Sequence, residues 1–452
     1  MKQSTLENIL TLGLDSGFDF CEVFIEKKRM TRLTQKTHET QNANQEFLHG
    51  IGLRFLKGTE VLYLSGAFGD EERLLKELKE SLQTKENKLT LYSEKDVSLA
   101  VRKEFSSIDL SEKRDLLRVM TEEALKYDNR MVGMDSLYLD MCQEVAIANS
   151  TGLHVKDTRN KTRLFSQSIA QEGDTIERGW VGPGYLGGFE FYDELDLKEY
   201  AREAARMAIV NLGASYAEGG VMPVVVDNGF GGLLFHEACG HSLEATAVSR
   251  GASEFCDKLG EEVASPLLTL VDDGSIPNRW GSLNIDDEGM KTQRNVLIEK
   301  GILKGYLIDI LGSRRMGMEP TGSARRENYT FAPTSRMTNT FIEAGQDDDE
   351  DMIRELDKGL FVKGMNAGSV NPATGEFNFN VGEAYLIEKG KITKPVKGLS
   401  LIGTGGDILK QVDAVGKNAT IGDGFCWSLS GALYIGAGQP RIRLKSMMVG
   451  GR

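Results

Sequence analysis

The sequence predicts an α+β chain in two parts. Residues 1–218 would form an N-terminal α/β domain with an antiparallel sheet, and residues 219–452 a C-terminal, mainly β domain carrying a distorted metal-binding helix. Three observations lead there. All nine prolines lie at or beyond Pro183, so the composition changes part-way along the chain. Segments of alternating apolar and polar residues, bounded by turn formers, recur in both parts and read as antiparallel strands. One short apolar run, Leu233-Leu234-Phe235, leads into His236-Glu237-Ala238-Cys239-Gly240-His241, where two of only five histidines bracket a glutamate.

Taken in order, Leu6, Ile9, Leu10 and Leu14 recur at helical spacing over residues 3–16, and residues 19–26 read as a strand. Strands at 51–55 and 60–64 flank Lys57-Gly58 and suggest a hairpin, with His38 and His49 in a solvated loop before it. A helix over 70–82 would bury Leu74, Leu75, Leu78 and Leu82, and another over 111–127 would start on Ser111 as N-cap. Alternation from Ser136 to Glu177 predicts a meander, with His154 on a sheet face. A glycine-rich connector at 181–188 leads to a helix over 196–212. The domain boundary is expected at Glu218-Gly219-Gly220, before the strand Val224-Val225-Val226.

In the second part, Leu297-Ile298-Glu299-Lys300-Gly301 and Leu386-Ile387-Glu388-Lys389-Gly390 are the same five letters. Each is expected to turn a hairpin at Lys-Gly, through duplication or through a common turn solution. The acidic run Asp347 to Asp351 suits the first turn of a helix better than a cation site.

Composition narrows the function. A length of 452 residues allows two or three domains. The net charge of −13 argues against a nucleic-acid backbone as principal partner, since phosphates need clustered Lys and Arg. The start has no long apolar stretch, and no run of 18 apolar residues occurs, so neither membrane nor secretion is indicated and the cytoplasm is the simplest location. Five widely spaced cysteines do not make a disulfide framework.

The chemistry is expected at residues 230–244. In H-E-x-x-H, two imidazoles at i and i+4 share a helix face and one zinc, and the glutamate takes a proton from the metal-activated water. Here the spacing is one longer, which on a regular helix leaves the side chains roughly 140° apart. A π-bulge would absorb the extra residue, and Gly240 beside His241 permits distortion. The ordinary alternative is two neighbouring core or cap histidines. A catalytic zinc wants a third protein ligand and an open position. Cys239 should point away from any side the histidines share. Glu244, three residues after His241, and Cys426, in the glycine-rich stretch Gly422-Asp423-Gly424-Phe425-Cys426-Trp427, are both candidates that residue chemistry alone does not rank.

A resemblance does rank them. His236 to Glu244, Val271-Asp272-Asp273-Gly274, Ile285-Asp286-Asp287-Glu288-Gly289, Ser335-Arg336-Met337-Thr338-Asn339-Thr340, Gly382 to Glu388 and Gly436-Ala437-Gly438-Gln439-Pro440 together resemble the TldD/PmbA family of metallopeptidases, on the TldD side. The likeness runs through nearly all of the second part and more loosely through the first. It implies zinc held by His236, His241 and Cys426, Glu237 as general base, and a dimer that encloses the site, either a homodimer or a heterodimer with a PmbA-type subunit. The PmbA half of the family typically lacks these ligands. Two departures stand out: Ala245-Thr246 where the family usually has Gly-Asp, and Phe331 where it often has a histidine.

The function expected is therefore a zinc-dependent peptidase acting on unfolded or extended peptides, held by main-chain pairing at an open strand edge. The competing expectations are a metal-braced binding or regulatory protein, to which the family's older association with DNA gyrase modulation belongs, and a metal-dependent amidase acting on small molecules.

Overall fold

In the computed structural model, which describes residues 1–79, 89–371 and 374–451, the first half is built on one eight-stranded sheet. Its strands run in the order Glu60–Ala67, Glu39–Lys57, Phe20–Lys36, Met131–Asn149, His154–Glu172 and Lys95–Asp96, with Thr175–Val181 and Gly184–Leu186 also paired to His154–Glu172. Period-2 alternation gives this sheet two differently used faces. On one face, Leu6, Ile9 and Leu10 of helix Gln3–Asp15 pack on Cys21, Val23, Leu53 and Phe55. Further along that face, helices Leu110–Tyr127 and Leu197–Leu212 cover Leu33, Tyr138 and Leu164. The opposite face turns to the second half, where Phe24, Val145, Ile147 and Val155 cluster with Ile285.

Coverage of both faces explains where the sequence reading fell short. The strand expected over 19–26 runs on to Lys36, because the polar segment 27–36 lacks an apolar pattern yet is paired on both sides. His49, expected in a loop, lies on strand Glu39–Lys57 with its ring stacked 4.1 Å from Phe68. Ser111 is not the N-cap; Asp109 occupies that position and makes no side-chain capping bond. The second helix spans Glu71–Lys79, and the remainder of the expected stripe, including Leu82, lies outside the described residues.

Among the described residues the second half holds a two-stranded sheet, Ala324–Arg325 with Thr334–Ser335, and two large sheets. In one, Lys358–Val370, Gly220–Val226, Ile442–Gly450, Ser400–Thr404 and Glu376–Glu388 follow one another, and the last pairs back on the first to close a ring of strands. The other is a six-stranded sheet ordered Ile302–Leu303, Arg294–Glu299, Leu270–Asp273, Asn339–Ile342, Gly431–Gln439 and Thr420–Ser428. One apolar cluster, from Val224 to Val449, lies between them. The two Lys-Gly hairpins fall in different sheets, and both turn residues of each have positive φ (48° and 82°, 50° and 73°). That is the geometry of a tight primed turn, so the echo reflects shared turn chemistry. In the acidic run, Asp348 Oδ1 accepts from the amides of Glu350 and Asp351 at the start of helix Asp351–Arg354. Among the described residues, no helix is long and apolar enough to cross a membrane.

The halves are joined through buried charge. Arg54, 2 % exposed, lies 2.7 Å from Glu22 and 2.6 Å from Glu288, and Arg326 reaches the other oxygen of Glu22 at 2.6 Å. Arg159 reaches Asp287 across the same junction at 2.6 Å. Removing one member strands its partners: Arg54→Ala leaves buried Glu288 without its cation and Glu22 with Arg326 alone, and is expected to cost ~3–5 kcal/mol. Urea denaturation measures this, and a loss below ~1 kcal/mol would mean the network does not hold the halves together.

Candidate metal centre

After strand Gly220–Val226 the chain follows one helical path that changes pitch. It is 3-10 over Gly229–Gly232, α over Leu233–Phe235, π over His236–Gly240 and 3-10 over His241–Leu243. A π turn closes i to i+5, so residues five apart come onto one side. His236 and His241 are thereby brought together, ring centroids 5.3 Å apart and planes at 84°. Gly240 contributes differently from expectation. Its φ of −57° is ordinary helix, and what its missing Cβ provides is room for the sulfur of Met337.

Cys426 arrives from the far end of the chain, on strand Thr420–Ser428 opposite Leu433 and not in a loop. The glycines that suggested a loop serve contact instead. A Cβ at Gly422 or Gly424 would come within 2.8 or 3.1 Å of Phe230, so their absence lets the start of the helical path lie against this strand.

Ligand atoms of His236, Glu237, His241 and Cys426 lie within 4.8 Å of one another. His241 Nε2 is 3.1 Å from Cys426 Sγ and 3.6 Å from Glu237 Oε2. Its Nδ1 is 3.2 Å from Glu244 Oε1, the arrangement in which a carboxylate fixes a ligand's tautomer and leaves the other nitrogen free to bind. Glu244, the open candidate for third ligand, thus stands behind His241. Arg336 steadies both, with Nε 3.7 Å from Glu244 and Nη2 donating to the Cys426 carbonyl at 3.1 Å. Cys239 points away, its thiol donating to the Phe235 carbonyl.

The donor set fits a metal. His236 is fully buried and neither ring nitrogen has a hydrogen-bond partner, a state that costs about 1–3 kcal/mol per orphaned group unless something else satisfies it. Two imidazoles and a thiol suit a borderline-soft cation such as zinc. Burial drives the His236 imidazole well below its usual value, which keeps it neutral and able to donate its lone pair. Burial also raises the Glu237 carboxyl, with Glu244 adding to the shift and His241 and Arg336 opposing it. For His241 burial alone would lower the imidazole, but Glu244 and Cys426 outweigh it and shift it upward; a ligand must be neutral, so metal binding would release any proton the ring carries.

Glu237, His241 and Cys426 open into a cavity of about 860 Å³. Phe230, Phe425 and Trp427 line it from the second half, and Leu139, Phe165 and Trp180 from the first. The sequence had marked Arg336 only within a motif and had no signal for the cavity's far wall, whose residues come from sheet faces distant in the chain. His38 and His49 stay at the surface, and His154 pairs with Glu94 at 3.3 Å; none joins the group. Of the two departures, Thr246 bonds Ser335 through its hydroxyl at 2.8 Å, and Phe331 is absent from the cavity lining.

Residues 219–451 match the family model described as the PmbA/TldA metallopeptidase C-terminal domain, and residues 103–212 its central domain. A Haemophilus influenzae protein named as a metalloprotease TldD homolog is 34% identical over 469 residues, covering 100% of this chain and 97% of its own. Solved structures that share the fold include two from other organisms. A candidate modulator of a DNA gyrase from Thermotoga maritima has a TM-score of 0.80 at 22% identity, covering 99% of both chains. TldE from Thermococcus kodakarensis has a TM-score of 0.77 at 20% identity, covering 99% of this chain and 100% of its own.

Proposed function

The chain belongs to the PmbA/TldD metallopeptidase family, and from that premise we propose a zinc-dependent peptidase that cleaves unfolded or extended peptides. His236, His241 and Cys426 would hold the ion, and Glu237 would be the general base. The observation that carries this reading is the fully buried His236 with two unpartnered nitrogens beside a thiol, an imidazole and a carboxyl, a group whose donors a bound cation would satisfy together.

When bound, the ion supplies a Lewis acid that lowers the pKa of water towards about 7 and polarises a carbonyl. The chain's own residues do the rest. Glu237 Oε2 is placed to accept the proton of the attacking water and to return it to the leaving amine nitrogen. Its burial, which raises the carboxyl, suits both halves of that transfer. Glu244 and Arg336 keep His241 in one orientation. A cavity of about 860 Å³ is of the size that holds small ligands, so it accommodates a short extended segment and not a folded domain.

A partner subunit, a second copy or a PmbA-type chain, is proposed from the hairpin beside Cys426. There Trp427 and Leu429 are 72% and 67% exposed at the rim of the site, apolar surface that a second chain would cover. The acidic charge favours peptide over nucleic acid, and a cytoplasmic setting is proposed with it. The alternative of a metal that only braces a binding protein would need Glu237 as a fourth ligand, because structural zinc is closed by four protein groups.

Purified protein is expected to carry about one zinc per chain and to cut a denatured peptide mixture into fragments identified by mass spectrometry, with cutting abolished by chelator and restored by zinc. Fragmentation unaffected by the chelator, or none with zinc present, would overturn the reading.

A further inference from the structure

The cavity beside the metal centre has a charge imbalance that catalysis does not use. Among the described residues, the ionisable side chains lining it apart from Glu237, His241 and Cys426 are two arginines, Arg163 and Arg178, and no further carboxylate.

Arg163 is the telling one. It is only 6% exposed, yet it donates solely to backbone carbonyls, Nε to Gly182 at 3.2 Å and Nη2 to Asp423 at 2.7 Å. Among the described residues it has no ion-pair partner within 4.0 Å. The carboxyl it feels, Asp423, is turned to the amide of Gly184 at 2.8 Å. The guanidinium lies over the Phe425 ring at 5.0 Å, one residue from Cys426.

Four of the other five buried arginines among the described residues are treated differently. Arg54, Arg159, Arg326 and Arg336 each have a carboxylate. Arg325 is held by the carbonyls of Met337 and Tyr434 and has no place in the cavity lining. A buried cation without its counter-charge is costly, and the cost is recovered when an anion arrives. Arg178, two residues before Trp180 on strand Thr175–Val181, is exposed and adds a second positive group on the far wall, without an ion pair among the described residues.

We propose that this cavity binds a carboxylate of the peptide substrate on Arg163, with Arg178 as the supporting cation, and that this contact sets which peptides are taken. The proposal rests on the peptidase reading above. A guanidinium fork matches a carboxylate in shape as well as charge. The carboxylate could be the peptide's C-terminus, making the protein act close to chain ends, or an Asp or Glu side chain next to the cut.

The test uses four N-acetylated peptides of one apolar sequence: the free C-terminal acid, its amide, the amide with one internal Glu, and the amide with Gln in its place. Binding to full-length Glu237→Gln protein is read from Trp fluorescence, since Trp180 and Trp427 line the cavity. Turnover is read separately on the unmodified protein. At least tenfold tighter binding of an acidic peptide than of its neutral counterpart is expected. A preference for the free acid identifies the C-terminus, and a preference for Glu identifies a side chain. Arg163→Gln should abolish the preference and Arg178→Gln reduce it.

Binding of all four within twofold, or a preference undiminished in a folded Arg163→Gln protein, overturns the proposal. Should Arg163→Gln fail to fold, the unmodified-residue comparison still decides. Preference without cleavage would sink the peptidase reading alone, and cleavage without preference would sink the carboxylate site alone.

Discussion

Replacement of Glu237 by Gln is expected to leave the metal content unchanged and to lower peptide hydrolysis by ~10²–10⁴-fold, the range for loss of a positioned general base. The change is nearly isosteric and keeps hydrogen-bonding capacity beside His241, so the π turn should persist. What it removes is the carboxylate proposed as the base, whose Oε2 lies 3.6 Å from His241 Nε2. Metal analysis and kcat/KM on the same preparation check this. Unchanged hydrolysis would refute the assigned role, and loss of the metal together with activity would make Glu237 a ligand and favour the metal-braced alternative. The unmodified protein should show the matching pH behaviour. Burial raises the Glu237 carboxyl, so the base is protonated and idle at low pH, and kcat/KM should climb as pH rises through that raised value. In the Gln variant this acid limb should vanish.

Cys426→Ala is expected to lower metal affinity by more than the ~10–100-fold that loss of an orienting partner costs, because it removes a ligand outright. Hydrolysis at limiting zinc should fall to background. The variant also reads out stability. A cation bound to the folded chain raises its melting temperature by mass action, so added zinc should shift the unmodified protein upward and leave Cys426→Ala nearly unmoved. His236→Ala should behave alike in metal content, although a fully buried side chain is removed and some general destabilisation accompanies it. A Cys426→Ala protein that binds zinc as tightly as the unmodified one would show that the thiol is a bystander.

Much of this site was legible in the chain itself. The pair His236 and His241 with Glu237 between them, the need for one extra residue in the turn, and the turning away of Cys239 all follow from spacing on a helix. The hairpins at Lys300-Gly301 and Lys389-Gly390 followed from turn chemistry. Local rules worked there because each feature is decided within a few residues. They failed where pairing was distant. Segment 27–36 is a strand only because Glu39–Lys57 and Met131–Asn149 flank it, and Cys426 is on a strand because glycine spacing served Phe230 and not a loop.

What the sequence determined alone, then, is the inventory of donors and the helical turn that presents two of them, since residue type and periodicity act locally. Only tertiary structure decided that Glu244 stands behind His241 and that Arg336 ties it to Cys426. Tertiary structure likewise made the first half's sheet the far wall of the cavity, with Arg163 left uncompensated there. Those relations join residues up to 260 positions apart, as between Arg163 and Asp423. They arise from how two sheet faces are buried against each other, which no local pattern encodes.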